Sequence, residues 1–378
     1  MKNLFFNFST IISLVIAFSC DSNESARIKT ENSIGGWPQK PTYSSEDGMY
    51  YGVTGDGDGT IYKYNPENDD LQTIYIFGDS IRSGTSPNGK LLETFNGKLL
   101  GTTTEGGTKG GGTIFELSPL SNEVNFLASF DANSNMKNPY YGFVEYNSGL
   151  DISWYSFANS GYIFSIANGQ TAIQQESSLQ NELMGDIINA IDNNLYVADW
   201  WDGAILQFSP KNSTLTEYIK FGDYFEGSRP SLTMSLICPD GENAYTAVRS
   251  NGSYILTKVN LLTKEVTKLA TLPPDIVFAR EFFEVGEDGN LYFVGHNANF
   301  DNQTPNELYI YQFNTETEEL KLAFKYEDNR IYHYPTSSLE EIEPGVFVGG
   351  FDLISDSYPP KGGLYKVDLN DSTIKLIY

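Results

Sequence analysis

The stretch Leu100-Gly101-Thr102-Thr103-Thr104-Glu105-Gly106-Gly107, taken up again at Gly112-Thr113-Ile114-Phe115-Glu116-Leu117, decides the fold. Two short runs, rich in β-branched and aromatic residues, alternate apolar with polar positions and are joined by a glycine-rich turn. That is the pattern of a β-hairpin. Upstream, Leu91-Leu92-Glu93-Thr94-Phe95 reads as a strand entering the hairpin, and downstream Val124-Asn125-Phe126-Leu127-Ala128 reads as one leaving it. The unit therefore has four strands, named a to d from the inside outwards. Its runs are too short for helices, and helical periodicity is sustained nowhere in the chain.

The same unit returns along the chain. A small residue before a hydrophobic or aromatic pair marks it seven times, at Gly48, Gly97, Gly149, Asn194, Asn243, Asn290 and Gly345. A proline leads the mark by ten positions at Pro38, Pro87, Pro139 and Pro335. The spacing is roughly fifty residues, a period that belongs to propeller blades. One such unit cannot bury its own apolar faces, so copies must pack radially. The prediction is an all-β domain over 37–378, a seven-bladed β-propeller with four antiparallel strands per blade. In the fourth unit the strands fall at 186–190, 195–198, 204–208 and 214–219. Thr42 to Ser45 opens the first unit and Thr336 to Ile342 the last, so all seven units look complete. Ring closure is then expected from packing of the first blade on the seventh, with pairing of the N-terminal segment to the last sheet as the alternative.

The opening stretch resembles a glycine-rich repeat of extracellular bacterial propellers that reads Leu-Tyr-Gly-Thr-Thr, Gly-Gly, Gly-Thr-Ile/Val-Phe. Tyr51-Gly52-Val53-Thr54 with Gly59-Thr60-Ile61-Tyr62-Lys63-Tyr64 is similar to it, and Asn194-Leu195-Tyr196-Val197-Ala198-Asp199 is similar to strand b of NHL-type and gluconolactonase-type blades. Two units match closely and five loosely. The resemblance implies architecture and brings no activity with it.

The N-terminus carries a second signal. Met1-Lys2-Asn3 precedes an apolar run from Leu4 to Phe18, then Ser19-Cys20-Asp21. A basic start, a short apolar core and a small residue before the break describe an export signal, and the run is short for a bilayer span. Cys20 after Ala17-Phe18-Ser19 resembles the lipobox of bacterial lipoproteins, which implies a leader over 1–19, a lipid on Cys20 and a polar tether over 20–36. The expected location is the bacterial outer membrane, lipid-anchored on its periplasmic or cell-surface side. The other cysteine, Cys238, then has no disulfide partner and reads as a small buried hydrophobe. Acidic residues outnumber basic ones 49 to 24, a formal charge of −25 that repels phosphate backbones and excludes nucleic acid as a partner.

In a four-stranded blade the b–c turns and the d–a connections emerge on one face. Trp200, Trp201 and Asp202 end a b strand there; Trp154 and Tyr155 are placed near the same end. Trp37, Arg229 and the group Arg330, Tyr332, His333 and Tyr334 precede a strands, and His296 closes another b strand. Aromatic rings beside polar groups suit a glycan or a protein hot spot. Binding residues are thus expected among Trp200, Trp201, Asp202, Trp37, Arg229, His333, Tyr332 and His296, with blade packing as the competing role of the tryptophans and the favoured one for Trp154. Gly55-Asp56-Gly57-Asp58-Gly59 offers alternating aspartates to calcium but reads more simply as a hairpin turn, so no cofactor is expected. The sequence has no Gly-x-Ser-x-Gly elbow, no His-Glu-x-x-His and no phosphate-cradling loop. The expected function is a non-catalytic module for a glycan or an outer-membrane protein partner. The alternative is a carbohydrate-active lyase, hydrolase or lactonase with its site at the channel mouth.

Overall fold

The computed structural model describes residues 34–147, 152–158, 161–167, 174–178, 185–200, 202–226, 231–232, 235–274, 276–297, 306–328, 333–353 and 361–378. Seven antiparallel sheets follow one another along the chain, over 42–76, 85–131, 144–178, 187–220, 231–271, 276–328 and 333–377. The first six pair their four strands strictly in chain order, and the whole is a seven-bladed β-propeller. In the second blade the strands run Thr85–Glu93, Leu99–Glu105, Gly110–Ser118 and Glu123–Asp131; the last two enclose their expected cores, while the first starts six residues earlier than expected and stops at Glu93, short of Phe95.

The repeated sequence marks have physical causes. Gly101 on strand b lies against the ring of Phe115 on strand c, where any Cβ would overlap it; Gly52 stands in the same relation to Tyr62, and Gly349 to Tyr365. At the mouth of the b–c hairpin, threonine hydroxyls bridge the strands, Thr54 to Thr60 and Thr103 to Thr113, both at 2.8 Å. At the a–b turn an aspartate accepts from a strand-b tyrosine hydroxyl. The pairs are Asp47–Tyr51 at 2.7 Å, Asp192–Tyr196 at 2.8 Å and Asp288–Tyr292 at 2.8 Å. The left-handed residue of that turn is Asn193, Gly241 and Gly289 in the fourth to sixth blades, one or two positions before the asparagines that mark the repeat.

Between strands c and d the register slips in six blades, at Ile61/Tyr62, Ile114/Phe115, Ile163/Phe164, Ile205/Leu206, Leu256/Thr257 and Ile310/Tyr311. A bulge there adds twist to the outer edge of the blade. The core is divided accordingly. Seven apolar clusters fill the seven spaces between neighbouring blades, as where Val53 and Ile61 of the first meet Leu99 and Phe115 of the second.

Closure differs from the expectation of packing alone. In the seventh blade Thr373–Ile377 pairs with Asp368 back to Leu364, and Ile34–Gly35 takes up the same ladder at Gly362 and Lys361. The outermost strand is thus spliced from both ends of the described chain. Ile34 is buried in the cluster between the seventh and first blades, beside Leu364 and Ile377.

Candidate functional site

The innermost strands break their pairing at the same height in several blades. Pairing to strand b jumps from Asn88 to Leu92 in the second blade, from Phe278 to Phe283 in the sixth and from Pro335 to Glu340 in the seventh. The four repeat prolines sit at this break: Pro38, Pro87, Pro139 and Pro335 lie opposite Thr54, Thr103, Ala158 and Phe351. A residue with no N–H cannot continue a ladder, so proline suits the point where the strand leaves its partner for the axis. Gly89 and Gly142 let the freed segments of the second and third blades meet backbone to backbone, a contact that no Cβ would permit.

These segments wall a central cavity of about 400 Å³, to which all seven blades contribute. Its charged heart is an ion-pair chain. The buried ammonium of Lys40 on the first blade contacts Glu284 of the sixth and lies 3.1 Å from Glu340 Oε2 of the seventh. Lys90 of the second blade approaches the same Glu340 oxygen at 3.5 Å. Burial opposes the charge on Lys40, yet Glu284 and Glu340 outweigh it and hold the ammonium protonated well above its usual range. Burial likewise lifts Glu284 above the ordinary carboxylate range, with Glu340 adding to the rise against the pull of Lys40 and Lys90. At Glu340 burial acts in the same sense, but Lys90 and Lys40 prevail and its carboxyl lies below that range. Glu340 is therefore the firm anion of the chain, and Glu284 is the member that takes up a proton first. On the opposite wall, Asp186 accepts from the Leu236 N–H at 3.3 Å, near the buried Ser235.

Of the residues expected from sequence, Trp37, Trp200, Asp202, His296 and His333 lie among the described residues. Trp37 is half-buried with φ 58°, and its N–H donates to Asp352 at the end of strand b of the seventh blade. Trp200 is half-buried and Asp202 exposed, in a turn where the Asp202 N–H donates to Asp199 Oδ1 at 3.0 Å. His296 is buried, its Nδ1 2.9 Å from the Asn297 carbonyl, and burial lowers its pKa and keeps the ring neutral. His333 pairs through its backbone with Leu353. Trp201, Arg229, Tyr332 and the segment containing Cys20 lie outside the described residues. Trp154 is core, as favoured from sequence: it lies buried between the second and third blades, its Nε1–H donating to Glu145 at 2.9 Å. Asp56 and Asp58 sit in a turn closed by the Gly59 N–H on the Asp56 carbonyl at 3.1 Å. Among the described residues no three His, Cys, Asp or Glu side chains converge as a metal site. Cys238 is half-buried, and burial pushes its thiol up to about 12.

Sequence reading missed the channel chain. Its signal was faint: a lysine two positions after Pro38 and three after Pro87, on a strand expected to be innermost.

Blade count, pairing order and an axial cavity define this chain as a seven-bladed β-propeller. A profile of the Gloeobacter/Verrucomicrobia repeat matches residues 14–159. No curated protein matches the chain. Among solved structures it is similar to a streptogramin B lyase, at 15% identity and a TM-score of 0.56 over 89% of this chain and 95% of that one. It is also similar to a putative 6-phosphogluconolactonase from Bacteroides fragilis, at 13% identity and 0.56 over 89% and 96%. An oligogalacturonate lyase in complex with manganese follows at 10% identity and 0.52, over 90% and 85%. At such identities the likeness is one of fold.

Proposed function

We propose that the protein is a lipoprotein of the bacterial outer membrane, anchored through Cys20, whose propeller is a non-catalytic binding module. Its ligand is a glycan or a partner protein held on the face around the channel mouth. The observation that carries the reading is the ion-pair chain: Lys40, Lys90, Glu284 and Glu340 engage one another. Groups already paired with one another form a preorganised wall, which leaves the rim to recognition. Half-buried Trp37 and Trp200, with exposed Asp202, supply the aromatic and polar groups a hot spot uses. The test is a pull-down of the full chain from gently solubilised membranes together with a glycan array. Trp200→Ala should weaken whatever binding is found by about 2 kcal/mol, and unchanged affinity would remove that face.

One observation favours a second reading, a carbohydrate-active enzyme. Glu284 is a buried carboxyl held above its usual range, the property of a general acid. Product release from a polysaccharide panel, abolished by Glu284→Gln, would favour it; its sensitivity to EDTA would separate metal-dependent from metal-free chemistry.

A further inference from the structure

We infer that the axial cavity opens on the face opposite the rim as a site for an organic ammonium, a small amine on an apolar body, with Glu284 and Glu340 as its counter-ions. The inference goes beyond the rim ligand of the proposed function and does not depend on it. The opening follows from the strands that wall the cavity. Its lining residues Leu92, Ile188 and Val285 pair with Leu100, Tyr196 and Leu291 where their b strands begin, next to the a–b turns. All three are half-buried, whereas among the described residues nearer the d–a end Pro38, Lys40, Pro87 and Ser338 are buried. Strand a is innermost, so the a–b turns ring the mouth. On or beside these turns Tyr43, Phe95 and Ile191, from the first, second and fourth blades, are 44%, 55% and 61% exposed.

The chemistry inside the mouth suits a cation. The Glu284 and Glu340 side chains are 16% and 15% exposed, so neither is sealed. Glu340 receives both lysines on Oε2, and its Oε1 accepts from none of the described residues. Glu284 contacts Lys40 through Oε2, and its Oε1 has only the Glu341 N–H, at 3.5 Å. An ammonium can donate to these oxygens without breaking an ion pair. Aromatic rings stand close by. Tyr50, raised by burial and then by the charge of Glu340, has its ring centre 5.3 Å from that of Tyr43, and a ring face attracts a cation. An anion inside would have to draw Lys90 away from Glu340. On its way in it would pass the turn aspartates Asp47, Asp240 and Asp288, which hydrogen bonds hold below the ordinary carboxylate range against partial burial. Such a field concentrates cations at the mouth. Apolar lining from Leu92, Ile188 and Val285 suits the body of the amine, and the volume of about 400 Å³ lies within the range of small-ligand pockets.

The test uses the full chain in a maltoside detergent. Phenethylamine, tryptamine and hexylamine are titrated by ligand-observed NMR at neutral pH, with phenylethanol and phenylpropionate as neutral and anionic counterparts. At least one amine should bind saturably, and both counterparts should bind roughly tenfold more weakly or not at all. Glu340→Gln should weaken the amine roughly tenfold and Tyr43→Ala about threefold, while Lys90→Met, which removes a like charge, should tighten it. Absence of saturable amine binding overturns the site. Phenylethanol or phenylpropionate bound as tightly as the amines overturns the cationic class. Amine binding that none of the three substitutions changes lies elsewhere on the protein and overturns the assignment. If Glu340→Gln does not fold, Tyr43→Ala at the exposed mouth and Lys90→Met decide alone: weaker binding in the first with tighter binding in the second supports the site, and anything less overturns it.

Discussion

Lys40 Nζ stands 3.1 Å from Glu340 Oε2, joining the first blade to the seventh inside the ring. The same ammonium contacts Glu284 of the sixth blade, so one side chain ties together three blades at the point of closure. Removing it leaves two buried carboxylates facing each other. Lys40→Met should therefore destabilise the fold by about 3–5 kcal/mol, read from urea unfolding. The triple change Lys40→Met, Glu284→Leu and Glu340→Leu should recover much of that loss. A Lys40→Met protein as stable as the parent would show that the chain is solvated and weak.

The turn aspartates give the fold an acid-sensitive component. Partial burial works against the charge of Asp288, but the Asn290 N–H and the Tyr292 hydroxyl hold its carboxyl below the usual range. Asp47 behaves alike through Lys63, Tyr51 and the Met49 N–H. A carboxyl depressed in the folded state stabilises above its unfolded pKa, about 4, and that contribution drains away as the pH falls towards the folded value. The melting temperature should fall below about pH 4, and Asp288→Asn should flatten that fall while lowering the plateau at neutral pH. An unchanged acid limb in the variant would rule Asp288 out as a contributor.

Two glycines separate packing from backbone strain. At Gly101 a Cβ would overlap the Phe115 ring and come within 2.7 Å of Leu91 Cδ2, whereas at Gly48 there is open space but φ is 74°. Gly101→Ala should cost about 1–3 kcal/mol by overpacking, Gly48→Ala about 1 kcal/mol by the left-handed backbone. Paired thermal melts decide it, and equal effects would mean that the glycine of the repeat serves the turn and hairpin geometry and not the aromatic.

The spliced outer strand predicts a localised weakness. Ile34→Ala should cost about 2–4 kcal/mol and should speed amide exchange first over 361–364, where Ile34–Gly35 completes the ladder. Uniform loss of protection across all blades would contradict a local clasp.

Strand positions were legible because each depends on neighbours close in sequence. Gly101 and Phe115 are a hairpin apart, and alternation between them sets which face is buried. The proline mark was legible as a pattern, though its cause appears only with the break it occupies at Pro87 and Pro335. The channel chain was not readable, because Lys40 and Glu284 are 244 positions apart and share no motif. Ring geometry alone brings them together. Trp154 serves blade packing, the role the sequence favoured for it, because strand b of its blade runs on to Ala158, four positions beyond the tryptophan.

The splice has a mechanical corollary. Ile34 is the first described residue, so were the chain held through residues 1–33, tension would act as shear on the two residue pairs that join Ile34 and Gly35 to the seventh blade. A pull strong enough to free Ile34 would strip the seventh blade of part of its outermost strand while Lys40–Glu340 and the rest of the shared apolar cluster still joined it to the first. Leash and latch would then be wired in series.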